Sequence, residues 1–258
     1  RLSAMNSVWD LFEKTSPLVM ETLRNAKSCG RMSHAYLVCT SNPEWRMKFP
    51  LLIFALMSCQ TPNADFSPCG KCPSCRRILD GTFPDMFSLA PISKARKIQI
   101  GEDENDPDTM RWFEGLFHLS SMTECGWKFG IIHEAECLTE QAQNAFLKTL
   151  EEPPRQAIFI LATTEKHKIL PTILSRCQIY DFNRINVQDT VQHLQYVASK
   201  EGIQAEPEAL NVIAQKADGG MRDALSIFDQ VTSFTGGNIT YKSTIENLNV
   251  LDYEYYFR

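Results

Sequence analysis

Four short apolar runs, separated by helical patterns, constrain the fold of this chain more than any other feature. Residues 35–39 (AYLVC), 129–133 (FGIIH) and 157–162 (AIFILA) read as buried strands, and 178–182 (QIYDF) as a weaker fourth. Between the second and third lies a helix over 140–150, with Ala142, Ala145, Phe146 and Leu150 recurring at three- and four-residue spacing. Thr139 is placed to cap its start, and Pro153-Pro154 forbids its continuation. Strands without polar alternation are buried on both faces, and strands alternating with helices pack as a parallel sheet between helical layers. The expected class is therefore α/β over residues 1–184.

Beyond residue 184 the strand signal stops. A helix is expected over 187–200, with Val187, Val191, Leu194 and Val197 on one face. A second starts near Pro207 and ends near Gly219-Gly220, and a third runs over 221–234. Residues 185–248 thus read as a small helical domain. The aromatic tail 249–258 carries no stop signal and is expected to begin a further domain. Two domains suit 258 residues at about 100–200 residues each. No apolar run is long enough to span a bilayer, so no membrane partner is expected. With no signal-peptide pattern at the N-terminus, the expected location is cytoplasmic. The net charge of −5 excludes a non-specific nucleic-acid coat protein, which would be strongly basic.

Nine cysteines are many for a reducing compartment, where thiols and metal ligands outnumber disulfides. Cys59, Cys69, Cys72 and Cys75 stand as C-x9-C-x2-C-x2-C. Two-residue spacers let tight turns, here served by Gly70 and Pro73, present adjacent sulfurs to one ion. Four thiolates suit a structural zinc ion and leave no open position for catalysis. The zinc module is placed at about 59–80. Cys29, Cys39, Cys125, Cys137 and Cys177 lack ligand spacing and read as core or packed-loop thiols.

Taken together, SHAYLVC, the cysteine cluster, NAFLKTLEEPP, FILATT, LPTILSRCQ and GGMRDALS, in this order, resemble the bacterial DNA polymerase III clamp loader in its gamma/tau and delta-prime subunits. The resemblance spans about residues 8–249. It implies a RecA-like AAA+ domain with an inserted four-cysteine zinc module, then a three-helix lid. It also implies a C-terminal helical collar, with 249–258 as its start.

An ATP-binding member of the family carries G-x-x-x-x-G-K-[ST] after the first strand, where glycines admit phosphate to the backbone, Lys neutralises it and the hydroxyl binds magnesium. Here Thr40, Pro43 and Trp45 occupy glycine positions, Arg46 the Lys position and Met47 the hydroxyl position. Trp45 is expected to bring bulk into the cradle, Pro43 to remove a donor and Glu44 to repel a polyanion. Arg46 alone retains anion chemistry. The family's Asp-Glu pair is replaced by His133-Glu134, which leaves Glu134 as a surface carboxylate without magnesium support. Thr163 and Thr164 match a phosphate sensor and are left to cap or pack. Arg222 matches the lid sensor and is read as a structural cation near Asp223 or Asp229. ATP is therefore expected not to bind.

By contrast, Ser175-Arg176-Cys177 is intact. The resemblance assigns Arg176 as an arginine finger reaching a neighbour's ATP, against a purely structural ion pair capping the preceding helix. A lost phosphate loop beside an intact finger resembles delta-prime: no ATPase of its own within the DNA polymerase III holoenzyme. The implied partners are the gamma/tau and delta subunits, the sliding clamp, and primer-template DNA through the assembly. The lid resembles gamma/tau equally well, so an ATPase motor is the competing reading; a zinc-dependent nucleic-acid module is a third. The acidic stretch 98–108 is expected to be a solvated loop. Lys94, Arg96 and Lys97 form a weak basic run, and 110–119 an apolar helix face, either core or clamp contact.

Overall fold

The structure is a computed structural model. It describes the backbone of residues 4–183, 187–217 and 220–256, and the side chains of 5–183, 187–217 and 220–249. The chain divides into two compact units, the first ending at Asp181 and the second starting at Phe182.

The first unit opens with two helices absent from the expectations, α1 (Ala4–Thr15) and α2 (Pro17–Ser28). Their burial follows helical spacing: Met5, Val8, Trp9 and Phe12 line one face of α1. Then follow β1 (Ala35–Cys39), α3 (Pro43–Ser58), α4 (Pro73–Asp80), β2 (Met86–Leu89), α5 (Met110–Leu116), β3 (Lys128–Ile132), α6 (Glu140–Glu151), β4 (Ala157–Thr163), α7 (Pro171–Leu174) and β5 (Gln178–Asp181). The five strands form one parallel sheet in the order β2-β3-β4-β1-β5. Every residue of β1, β3 and β4 is buried, as continuous apolar runs require. The edge strand β2, MFSL, is only partly covered, and its polar content explains why periodicity missed it.

Side chains alternate between the two faces of the sheet. Ala35, Leu37, Cys39, Phe159 and Leu161 meet Met110 and Phe113 of α5, Phe146 of α6 and Ile173 of α7. On the opposite face an aromatic layer joins α1 and α3 to the sheet. Phe12 stands edge-on to Phe49 at 5.1 Å, Phe49 to Tyr180 at 5.3 Å, and Phe54 stacks on Phe129 at 4.7 Å. The acidic stretch is exposed over 102–105 as expected. Its first residue differs: Ile98 is buried and bridges to Leu138. Within 110–119, Met110, Phe113 and Phe117 are core, whereas Leu119 is exposed.

The second unit contains α8 (Val187–Glu201), α9 (Pro207–Ala217), α10 (Met221–Thr235) and α11 (Tyr241–Tyr256), with a two-residue parallel pair of β6 (Gln204–Ala205) and β7 (Asn238–Ile239). Leu194, Leu210, Ile213, Phe228 and Val231 form its core. The three expected helices are present, and α11 follows as a fourth. It runs unbroken across the expected boundary at 248–249. Gly219, the expected end of the second helix, and the 184–185 boundary lie outside the described residues. No described helix is long and apolar enough to cross a membrane.

Gly130 in β3 has no room for a side chain within the first core. A Cβ there would fall 2.6 Å from Phe113 Cζ and Phe117 Cζ and 3.1 Å from Phe159 Cδ1. Gly130→Ala should therefore destabilise the chain by about 1–3 kcal/mol in urea denaturation. A change below about 0.5 kcal/mol would show that the aromatic cluster has room to spare.

Candidate functional site

Strand order decides where chemistry belongs in such a sheet. The chain leaves β1 toward the β2 edge and leaves β4 toward the β5 edge, so the connections of these two neighbours run in opposite directions over opposite faces, α3 on one and α7 on the other. Ligands of open parallel sheets bind beyond the carboxyl ends of strands where connections reverse in this way. Thr40 follows β1, His133 and Glu134 follow β3, and Thr163 and Thr164 close β4, so the fold gathers these sequence-selected residues at one edge.

The segment after β1 does not form an open phosphate loop. Only Thr40, Ser41 and Asn42 separate β1 from α3, with Pro43 at the first helical position. Thr40 is buried, and its N–H donates to Thr163 O at 3.1 Å, prolonging the β1–β4 ladder. Asn42 caps the helix: its Oδ1 accepts from Glu44 N at 3.0 Å and Trp45 N at 3.3 Å, while its carbonyl accepts from Arg46 N at 3.1 Å. Pro43 has no N–H to offer. The donors that a helix N-terminus presents to an anion are thus engaged, Glu44 N, Trp45 N and Arg46 N by Asn42, and Asn42 N by Thr40 Oγ1 at 3.1 Å. Arg46 folds back as well, its Nη1 donating to Thr40 O at 2.8 Å. Glu44 pairs with Lys48 one turn on. Trp45 does not fill the cradle as its bulk suggested: the ring turns to α1 and meets Phe12 edge-on at 5.3 Å. Met47 is exposed.

Beside this loop, His133 is half-buried, and burial holds its imidazole below the ordinary histidine range, against the opposing pull of Glu134. Glu134 adopts a left-handed backbone, φ 48°, and both its oxygens accept from Nη2 of Arg96, itself left-handed at φ 53°. Arg96 Nη1 also donates to Pro91 O at 2.9 Å. The most central cation of the basic run is therefore used inside the molecule. Thr163 Oγ1 donates to Glu136 Oε2 at 2.7 Å and Thr164 Oγ1 to Glu136 Oε1 at 3.5 Å, so both threonines serve one carboxylate. Glu136 and Asn42 were not singled out by sequence reasoning. Asn-Pro ahead of an apolar run is a helix-start signal that would have found Asn42; Glu136 carries no local signature.

Arg176 follows α7 and is exposed. Its Nη1 donates to Thr172 O at 2.7 Å, and its Nη2 pairs with Glu151 Oε1 at 3.0 Å. The capping ion pair set against the finger role is thus present, and the guanidinium remains open to solvent. Arg222 lies in the first turn of α10, with no ion pair to Asp223 or Asp229 among the described residues.

The second site is the cysteine cluster. The sulfurs of Cys59, Cys69, Cys72 and Cys75 all lie within 4.8 Å of one another. A tetrahedron with metal–sulfur bonds of about 2.3 Å needs sulfurs about 3.8 Å apart, and Cys59 and Cys72 stand at 4.0 Å. Each element contributes for a local reason. Cys59 caps the C-terminus of α3, and Cys72 the N-terminus of α4, its Sγ accepting from Cys75 N at 3.5 Å. Gly70, at φ 70°, makes the turn that brings Lys71 N and Cys72 N to Cys69 Sγ at 3.4 and 3.3 Å. Burial would raise the Cys69 thiol, but the Thr61 hydroxyl and these two N–H groups outweigh it and lower it to about 6. Burial raises Cys75 and Cys59 instead, and proximity of the other sulfurs adds to Cys75. Four converging thiols, one favoured as thiolate, can hold a metal ion. Of the other cysteines, Cys39 is core, Cys125, Cys137 and Cys177 are half-buried, and Cys29 is exposed.

The family model described as DNA polymerase III, delta subunit, matches residues 15–186, and that of the DNA polymerase III clamp loader subunit, ATPase lid domain, matches 189–237. The chain is similar to DNA polymerase III subunit tau of Bacillus subtilis, 39% identical over 84% of this chain and 37% of that protein. It is also similar to the gamma subunit of Buchnera aphidicola from Schizaphis graminum, 30% identical over 90% of this chain and 61% of that protein. A gamma subunit-related protein of Thermotoga maritima aligns in structure at 19% identity and TM-score 0.41, over 88% of this chain and 76% of that one. The chain spans a little over a third of the length of the Bacillus tau subunit.

Proposed function

The chain belongs to the clamp-loader subunit family of DNA polymerase III, and from that premise we propose that it is a delta-prime-type subunit that does not hydrolyse ATP. It works in DNA replication, in the cytoplasm, within a ring of AAA+ subunits that includes gamma/tau and delta. The ring opens the sliding clamp and loads it on primer-template DNA. The observation that carries this reading is the closed start of α3, where Asn42 engages the helix N–H donors and Arg46 engages Thr40 O. A nucleotide would have to break these contacts, dispense with the Pro43 donor and find no hydroxyl for magnesium at Met47. Glu134, tied to Arg96, is turned to a structural use.

What this chain contributes to hydrolysis is Arg176. A guanidinium is always charged and offers a rigid fork of donors to phosphate oxygens. Placed across a subunit interface, it stabilises the charge that develops on a neighbour's transferring phosphoryl group. A gamma/tau-type motor is the second reading, favoured by the names of the tau and gamma relatives.

The cysteine cluster holds a structural zinc ion in this reading. Four thiolates saturate the tetrahedron, so its role is to fix the loop between α3 and α4.

Two measurements test these assignments. In the assembled loader, Arg176→Ala should lower ATP turnover at the facing site by about 10³-fold; unchanged turnover would remove the finger role. The purified chain should carry one zinc ion, and a strong chelator should lower its melting temperature with loss of hydrogen-exchange protection over 59–80. Metal-free protein with the same melting temperature would show that the thiols need no ion.

A further inference from the structure

The finger is held by one residue that none of the assignments above uses. Glu151 is the last residue of α6, where the partial negative charge of the helix end disfavours a carboxylate. Its Oε1 nonetheless accepts from Arg176 Nη2 at 3.0 Å. Arg176 Nη1 donates to Thr172 O at 2.7 Å and approaches Ser175 Oγ at 3.4 Å. A guanidinium has five N–H donors in one plane. Two fixed acceptors, one on each terminal nitrogen, set the direction of that plane. The remaining donors have no other partner among the described residues, and both side chains are partly exposed, at 36% and 46%. The fork is therefore oriented from behind and open in front.

We propose that Glu151 is the positioning residue of the finger: it orients the Arg176 guanidinium toward a polyphosphate presented by a neighbouring subunit. The proposal rests on the finger reading above. Its energetics fit an orienting contact of modest size: an exposed pair is weak, and the donors it leaves free can meet a polyphosphate without breaking it. Yet it removes rotamers in which the side chain would lie along its own surface, and so lowers the ordering cost at the moment of transfer. The α6 end is a firm base for it: Phe146 and Leu150 of the same helix are anchored in the core, and Thr149 Oγ1 donates to Glu114 at 3.0 Å.

The test uses the assembled loader with sliding clamp, primed DNA and ATP. Glu151→Ala should lower kcat about five-fold with KM for ATP unchanged, the ceiling that an exposed pair sets. Glu151→Asp should recover most of the loss. The gap between wild type and Glu151→Ala should close as salt rises from about 0.05 to 0.5 M, because the pair is screened. A melting temperature of the chain equal to wild type shows that the fold is intact. If Arg176→Ala cripples turnover while Glu151→Ala leaves kcat unchanged, the positioning role is overturned and the finger stands. The positioning role is equally overturned if Glu151→Ala raises KM at constant kcat. If Arg176→Ala itself is silent, finger and positioning role fall together.

Discussion

Burial of a parallel sheet on both faces is the constraint from which the rest of this structure follows. With α5, α6 and α7 on one face and α1 and α3 on the other, no surface of the central strands β1, β3 and β4 is left for chemistry. A ligand held by the sheet itself is confined to the carboxyl edge, beside the neighbours β1 and β4. Every candidate nucleotide residue of the first unit sits there because the sheet puts it there. What differs from a nucleotide site is how the edge is filled. At this edge the chain bonds to itself: Asn42 accepts from the N–H groups of α3, Arg46 donates to Thr40 O and Arg96 to Glu134. Backbone amides in a helix start are satisfied one way or another, and here Asn42 accepts from two of them.

The two ends of α3 tie the sites together. Its first turn follows β1 by three residues, and its last residue leads into Cys59 of the cysteine cluster. The sixteen residues of the helix are largely apolar, with Phe49, Leu52, Ile53, Phe54 and Leu56 buried. A metal ion at Cys59 would therefore brace the same helix whose start is closed by Asn42. Arg176, by contrast, stands clear of these contacts, at the surface where a partner can reach it.

Much of this was legible in the sequence. Continuous apolar strands announced a parallel sheet, and the cysteine spacing announced four converging sulfurs, because both signals are local and repeated. The motif substitutions at Thr40, Pro43, Trp45, Arg46 and Met47 announced a changed phosphate loop. The manner of change was not legible. Trp45 was expected to block the cradle, whereas its ring goes to Phe12, a residue of a helix not foreseen. Asn42 carries only the helix-start signal of Asn-Pro ahead of an apolar run, which the resemblance to a phosphate loop hides. Glu136 and Glu151 each act through a partner 25 or more residues away in the chain. Such tertiary pairings leave no periodic trace.

The central claim is that the β1–α3 connection is closed to nucleotide. Titrating the purified chain with ATP and magnesium in a calorimeter tests it most directly. The account predicts no saturable heat up to about 1 mM ATP. A magnesium-dependent dissociation constant of about 1–10 µM would contradict it, because the Asn42 cap and the Arg46 contact would then have to open at little cost.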